Sequence, residues 1–327
     1  MEFKIINNEN IQVILLERDT EIAKATCYFE NTPEVDGKNI GTIGEFETNN
    51  EENGIKVLEK CEEILREKGV KLIVAPMNGN TWKKYRTLKY SNGEPVFLLE
   101  NVNPMEHNEM LQKAGFKELH TYTSTKGLIK DAYESETLDI IESKLVEEKI
   151  VIRKFDKTNY MNDLRKIYNV SVKSFNRNPF YTPISEEEFI KQYEPYINMV
   201  DEELILIAEK EGQEVGFVFC IPDFNEFKRE GKLSTLILKT IAVLPEYEDL
   251  AIGNILLRHI AKTAQSKNFE KWIFAFMYSN NTSQKMAKRN KTEVIREYAL
   301  YGKELVWKII TILFKTEMRG ELKIWII

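Results

Sequence analysis

Apolar residues recur along the chain with two periods. A period of two, interrupted by turn residues, predicts short strands over residues 2–7, 11–17, 23–30 and 38–48. A helical period follows over 52–68, where Ile55, Leu58, Cys61 and Leu65 share one face. The apolar run KLIVAP predicts a strand over 71–76, followed by a polar stretch through Gly93. A helix over 107–114 and the strand ELHTYTS close this first half. A segment dense in Glu and Lys, 133–148, reads as a solvated connector helix.

The same grammar then repeats. A strand is predicted over 149–155 and helices over 159–175 and 186–199, with Ser185 and Glu188 spaced as a capping box. Strands at 204–209 and 214–221 flank the hairpin signal EKEGQE, and a third spans 233–243. A helix over 252–265, the strand KWIFAFMYS, a short helix after Asn281 and the strand VIREYALYGKEL complete the half. An antiparallel run followed by a crossover helix and another strand implies an α/β architecture with a mixed sheet covered by helices.

Composition narrows the class. Hydrophobic residues are 43% and charged residues 30%, enough apolar material for real cores and unlike a disordered chain. The balance of 46 basic against 52 acidic residues gives no cationic excess for general nucleic-acid binding. Cys27, Cys61 and Cys220 lie far apart and His107, His120 and His259 are scattered, so neither disulfides nor a metal are expected. With no basic, apolar leader at the start, the expected location is cytoplasmic. The end, LVWKIITILFKTEMRGELKIWII, is unusually apolar, but its uninterrupted part is too short to span a membrane.

The segment TIAVLPEYEDLAIGNILLRHI (240–260) resembles the phosphate-binding strand–loop–helix of the GCN5-related N-acetyltransferase (GNAT) superfamily, and YSNNTSQKMAKRN (278–290) resembles the family's Asn-x-x-Ala/Ser block. IAEKEGQEVGFVFCIPD is similar to its hairpin, in a tandem subgroup especially. In the first half, GTIGEFETNNEENGIKVLEKCEEIL, GVKLIVAPMN and LQKAGFKELH look like a second, degenerate copy. The resemblance implies two tandem GNAT-like domains: residues 1–131, a linker at 132–149, and 150–305 with the acyl-CoA site. A C-terminal extension, 306–327, is expected to pack as an added strand or helix on the second domain or between two chains.

What the resemblance implies chemically is an acyl-CoA-dependent N-acyltransferase, using acetyl-CoA and no metal, acting on a small-molecule amine by direct attack on the thioester. The alternative is an inactive relative that binds a ligand or partner in the same groove. The cofactor-binding set carried over is Ile241 and Val243 on the strand, Glu248, Asp249, Leu250, Ala251, Ile252, Gly253 and Asn254 in the loop and helix start, and Asn280 and Ser283 in the second block. A helix start with small residues suits an anion, because its first N–H groups lack partners.

Departures from the family pattern temper this. Glu248 stands where Arg or Gln is usual, Ala251 stands at the first Gly, and Glu246 and Asp249 add carboxylates where an anion must sit. Ala251 is tolerable at a negative φ, and Asn254 is a candidate helix cap. Met286 occupies the position of the family's proton-donating Tyr, which leaves Tyr278 or Tyr301 as substitutes. For the base, Asp223 and Glu226 lie just past Pro222, with Phe224 and Phe227 as groove wall or core lid. In the first half, Glu45 and Glu47 alternate onto one strand face as a candidate cation site.

Overall fold

The computed structural model describes residues 1–197 and 200–305, so the expectation for the tail at 306–327 lies outside the described residues. In the first half, β1 (Glu2–Asn7), β2 (Ile11–Glu17), β3 (Thr20–Tyr28) and β6 (Gly41–Thr48) form an antiparallel run. A two-stranded hairpin, β4 (Glu34–Val35) with β5 (Lys38–Asn39), interrupts it. Helix α1 (Glu51–Glu67) crosses over to β7 (Leu72–Ala75), which pairs parallel to β6. A long connection holding β8 (Thr87–Ser91) leads to α2 (His107–Lys113) and β9 (Lys117–Leu128).

Helix α3 (Glu136–Glu147) joins the halves. It is not wholly solvated: Leu138 and Leu145 enter the core beside the second half's crossover helix. The second half repeats the order with β10 (Ile150–Lys154), α4 (Tyr160–Phe175), α5 (Glu186–Tyr193), β11 (Ile205–Lys210), β12 (Gln213–Pro222), α6 (Phe224–Glu230) and β13 (Thr235–Val243). Then come α7 (Ile252–Ser266), β14 (Lys271–Tyr278), α8 (Ser283–Arg289) and β15 (Glu293–Glu304). Helix α5 stops earlier than expected because Pro195 follows and only a 3-10 turn continues it.

All but the β4–β5 hairpin join one 13-stranded sheet in the order β1-β2-β3-β6-β7-β15-β9-β14-β13-β12-β11-β10, with β8 also on β15. The closing strands are exchanged between the halves. β9 pairs antiparallel with β14 of the second half, and β15 pairs with β7 of the first. The two strands also pair with each other, from Glu293↔Lys126 to Gly302↔Lys117, at the centre of the sheet. Burial follows the exchange: Ala299, Tyr301 and Leu305 sit in the core built on α1, whereas Ile129, just past β9, sits in the core built on α7.

Candidate active site

Strands β13 and β14 run parallel and paired only from Thr235↔Lys271 to Leu238↔Phe274. Beyond that they part. The cause is an extra residue on each: β13 slips register against β12 between Cys220↔Leu238 and Phe219↔Thr240, leaving Lys239 as a bulge. β14 slips against β9 between Phe274 and Met277, with Phe276 at φ +56°. One edge of β13 from Lys239 to Val243 therefore faces a gap rather than a neighbouring strand.

The floor of that gap is apolar. Ile241 and Val243 face α7 and pack on its core together with Met286, Tyr247 and Leu250. A Cβ on Gly253 would lie 3.7 Å from Ile241 Cδ1 and 3.8 Å from both Met286 Cε and Val243 Cγ2, so Gly253 borders this floor. Ser174 Oγ donates to Val243 O at 3.0 Å.

At the mouth, Pro245–Leu250 forms a 3-10 turn and α7 begins at Ile252. Ala251 sits in the left-handed region, φ +54° and ψ 28°, not at the negative φ that would suit it. The expected cap is also displaced: Ala251 is the N-cap, and Asn254 lies inside the first turn, its backbone N–H donating to Ala251 O at 2.9 Å. No side chain caps α7 and no acid stands in its first turn. The carboxylates that crowd the sequence here, Glu246, Glu248 and Asp249, are exposed, and Glu248 lies 3.5 Å from Arg177. Across the gap, Ser283 Oγ is buried with no hydrogen-bond partner, while exposed Asn280 directs Nδ2 to Tyr278 Oη at 3.4 Å.

The first half offers an instructive contrast. Asn50 caps α1 by accepting from Asn53 N–H at 2.9 Å, and Glu51 and Glu52 fill its first turn. The corresponding gap between β6 and β7 is bridged: Met77 N–H donates to Ile43 O at 2.8 Å and Glu45 N–H to Asn78 Oδ1 at 3.1 Å. Gly44 is required there, since a Cβ would fall 2.3 Å from Asn78 Oδ1. Glu45, at φ +49°, breaks the strand alternation, so Glu45 and Glu47 do not make a joint site. Thr26 donates to Glu45 at 2.8 Å while Glu47 pairs with Lys24 at 3.1 Å. Burial, with Glu45 adding its charge, pushes the Tyr28 hydroxyl up to about 12.

The carboxylates proposed as bases have other engagements. Asp223 Oδ1 accepts from Leu98 N–H at 2.9 Å and Asn225 N–H at 3.1 Å, which caps α6 and anchors the long first-half connection. Glu226 accepts from the N–H and the hydroxyl of both Ser234 and Thr235, at 2.7–3.1 Å. Burial opposes its ionisation, but those four bonds outweigh it and hold its carboxyl below the usual range. Phe227 is exposed. Tyr301 is buried in the first half's core, donating to Asn108 Oδ1 at 3.0 Å.

Tyr278 lies on β14 past the point where it parts from β13, and packs against β9. Its hydroxyl lies 3.1 Å from His120 Nδ1, and the rings are 5.4 Å apart. His120 arrives on the exchanged strand β9, and burial lowers its pKa below the ordinary value. Phe180 packs edge-on against it at 5.4 Å. The pairing of residues 158 positions apart carries no local signal, so nothing in the sequence points to His120.

Residues 165–290 match the model of the acetyltransferase (GNAT) family. That stretch of the second half is similar to a GNAT-type domain. The described fold is similar to that of a GCN5-related N-acetyltransferase from Sphaerobacter thermophilus (TM-score 0.53, 13% identity, 90% of this chain and 80% of that one). It is similar too to a tandem GNAT protein from the clavulanic acid biosynthesis pathway (0.52, 8%, 90% and 82%). A GCN5-related glucosamine N-acetyltransferase region in a fungal multi-domain GH3 β-N-acetylglucosaminidase also matches (0.55, 13%, 90%), where this chain spans 33% of the other. Among curated proteins none matches the sequence. At these identities the neighbours establish the fold, a tandem GNAT arrangement with a mixed sheet. Among the described residues, no group of His, Cys, Asp or Glu is arranged to hold a metal ion, and no helix is long and apolar enough to cross a membrane.

Proposed function

We propose that the protein is an acyl-CoA-dependent N-acyltransferase, most simply an acetyltransferase, acting on a small-molecule amine at the gap between β13 and β14. The observation that carries the reading is the contrast between the two crossover helices. The start of α7 is free of side-chain caps and first-turn acids, whereas α1 has both. Free N–H donors and the positive end of the helix dipole suit the phosphates of an acyl-CoA. Ile252 and Gly253 would offer those donors, the β13 edge at Ile241 and Val243 would receive the pantetheine arm, and Asn280 with the unpartnered Ser283 hydroxyl would close the other side.

Bound acyl-CoA supplies the thioester carbon that the amine attacks. Backbone N–H groups of β13 near Ile241 and Val243 stabilise charge on the carbonyl oxygen. The Tyr278 hydroxyl accepts from the incoming amine and donates to His120 Nδ1. His120 is ready to take a proton because burial keeps it neutral. With Met286 unable to protonate the thiolate, the same His120–Tyr278 pair returns the proton.

Release of free CoA thiol from acetyl-CoA on adding primary amines tests this. A panel of small amines should raise thiol release above hydrolysis, and Tyr278→Phe should lower kcat by roughly 10²-fold or more. The second reading, a non-catalytic ligand-binding domain, draws on Met286 and on the strained Ala251. Thiol release equal to hydrolysis for every amine would favour it.

A further inference from the structure

Two cations lie beside the bulges that open the gap, Lys239 on β13 and Arg86 against Phe276 of β14, and neither has a carboxylate partner among the described residues. Lys239 is the bulge residue of β13. Its ammonium accepts no counter-ion there; it donates to Tyr193 Oη at 2.9 Å and lies over the rings of Tyr193 (4.9 Å) and Phe219 (5.4 Å). Arg86 comes from the first half's long connection. Its guanidinium lies 4.0 Å over Tyr85 and 4.6 Å over both Tyr122 and Phe276, the bulge residue of β14. Arg86 Nη1 donates to Phe276 O at 3.3 Å, and Nε is buried without a partner.

Both side chains are half-buried and on one face of the sheet. Phe219 and Ile221 alternate onto the same side of β12, and Ile221 packs with Ile273 and Phe276, the ring beneath Arg86. That is the face opposite α7. Since α7 takes the phosphates, the amine must enter from the face of Lys239 and Arg86.

Half-buried cations are ordinarily paired, and this chain, with 52 acids, pairs many others. Arg153 has Asp163 and Glu209, Arg258 has Glu134, Asp139 and Glu142, and Arg296 has Glu100. Lys239 and Arg86 instead have aromatic rings, which hold a cation in place without neutralising it. Arg86 is also kept at φ +68°, a conformation costly for a bulky residue. A Lys point charge and an Arg fork are the groups that recognise a carboxylate or phosphate.

We infer that the acceptor is an amine that also carries an anionic group, bound between Lys239 and Arg86. This rests on the acyl-transfer reading for the amine, but not for the anion. The test uses the full chain at fixed ionic strength. Thermal unfolding is followed with glutarate, inorganic phosphate or chloride, in wild type, Lys239→Met and Arg86→Gln. Acetyl transfer to amino acids and to their amides is measured in parallel. Glutarate or phosphate should raise the unfolding midpoint above chloride, the more effective one identifying the anion, and the shift should vanish in both variants. Wild type should favour the anionic acceptor by roughly tenfold in kcat/KM, through KM, and Lys239→Met should remove most of that preference.

Arg86→Gln perturbs an aromatic cluster; if it does not fold, Lys239→Met alone decides. No shift with either anion, or a shift that survives Lys239→Met, overturns the inference. So does equal transfer to acid and amide, even where acetyl-CoA is bound and used. A Lys239-dependent anion shift without any acetyl-CoA binding supports the anion site while refuting acyl transfer.

Discussion

Arg296 Nε donates to Glu100 Oε1 at 2.7 Å, and both side chains are almost completely buried, at 2% and 1% exposure. Arg296 lies on the exchanged strand β15, and Glu100 on the first-half connection. Arg296 also donates to the carbonyls of Glu94, Pro95 and Ile295, and Tyr298 donates to the same Glu100 oxygen at 3.0 Å. The pair thus fastens the second half's last strand to the first-half connection, which packs on the sheet against Ile237 and Ile273. Glu100→Ala leaves a buried guanidinium without its counter-charge and should destabilise the chain by about 3–5 kcal/mol. Urea unfolding checks this; a loss below 1 kcal/mol contradicts it. The double change Glu100→Leu with Arg296→Met should recover most of the loss.

The strand exchange predicts that neither half folds alone. A fragment of residues 1–131 lacks β15 and so leaves β7 unpaired on one side, with Ala299, Tyr301 and Leu305 missing from its core. A fragment of residues 132–305 lacks β9, the partner of β14. Circular dichroism and amide dispersion should report unfolded or aggregating fragments separately and a folded complex when they are co-expressed. Independent, cooperative folding of either fragment would refute the claim.

Ala251 at φ +54° carries a strain that glycine avoids. Ala251→Gly should therefore raise stability by about 1 kcal/mol, offset in part by the freer unfolded chain. Acetyl-CoA affinity should hold or improve, because the helix start keeps its geometry. Chemical unfolding and a binding titration on the same variant provide the check.

Burial holds both His107 and His120 below the ordinary 6.5. As pH falls through 6.5 the unfolded chain takes up these protons first, so their contribution is intact above that value and lost below it. Stability should decline on acidification through this window, and His120→Asn should flatten the His120 share. The acidic limb of kcat should lie below the ordinary histidine range, since His120 acts in its neutral form.

The element pattern was largely legible because alternation and helical spacing report which face is buried. The strands of β2, β6 and β13 and the helices α1, α4 and α7 follow from it. What the pattern cannot report is the partner across a strand edge: nothing local distinguishes ELHTYTS pairing within its own half from pairing with β14. Strand β8, TLKYS, was hidden by polarity, since it sits off the main path of the sheet on β15. Helix α6 carries little local signal, only two single residues, the Asp223 cap and the left-handed Gly231. At the site, the helix start and the Asn280–Ser283 block were visible. Lys239, Arg86 and His120 were not, since a bulge, a caged cation and a cross-strand pair are tertiary facts.

The central claim is that α7 and the parted strands receive an acyl-CoA. The most direct measurement is an equilibrium titration of acetyl-CoA, by calorimetry, against wild type and Gly253→Glu. That substitution places a carboxylate in the first turn of α7, where it favours the helix dipole but repels phosphate. The account predicts saturable one-site binding to wild type and at least a tenfold weaker complex for Gly253→Glu, with stability no lower than wild type. No binding to wild type at millimolar acetyl-CoA, or equal affinity in both proteins, would contradict it.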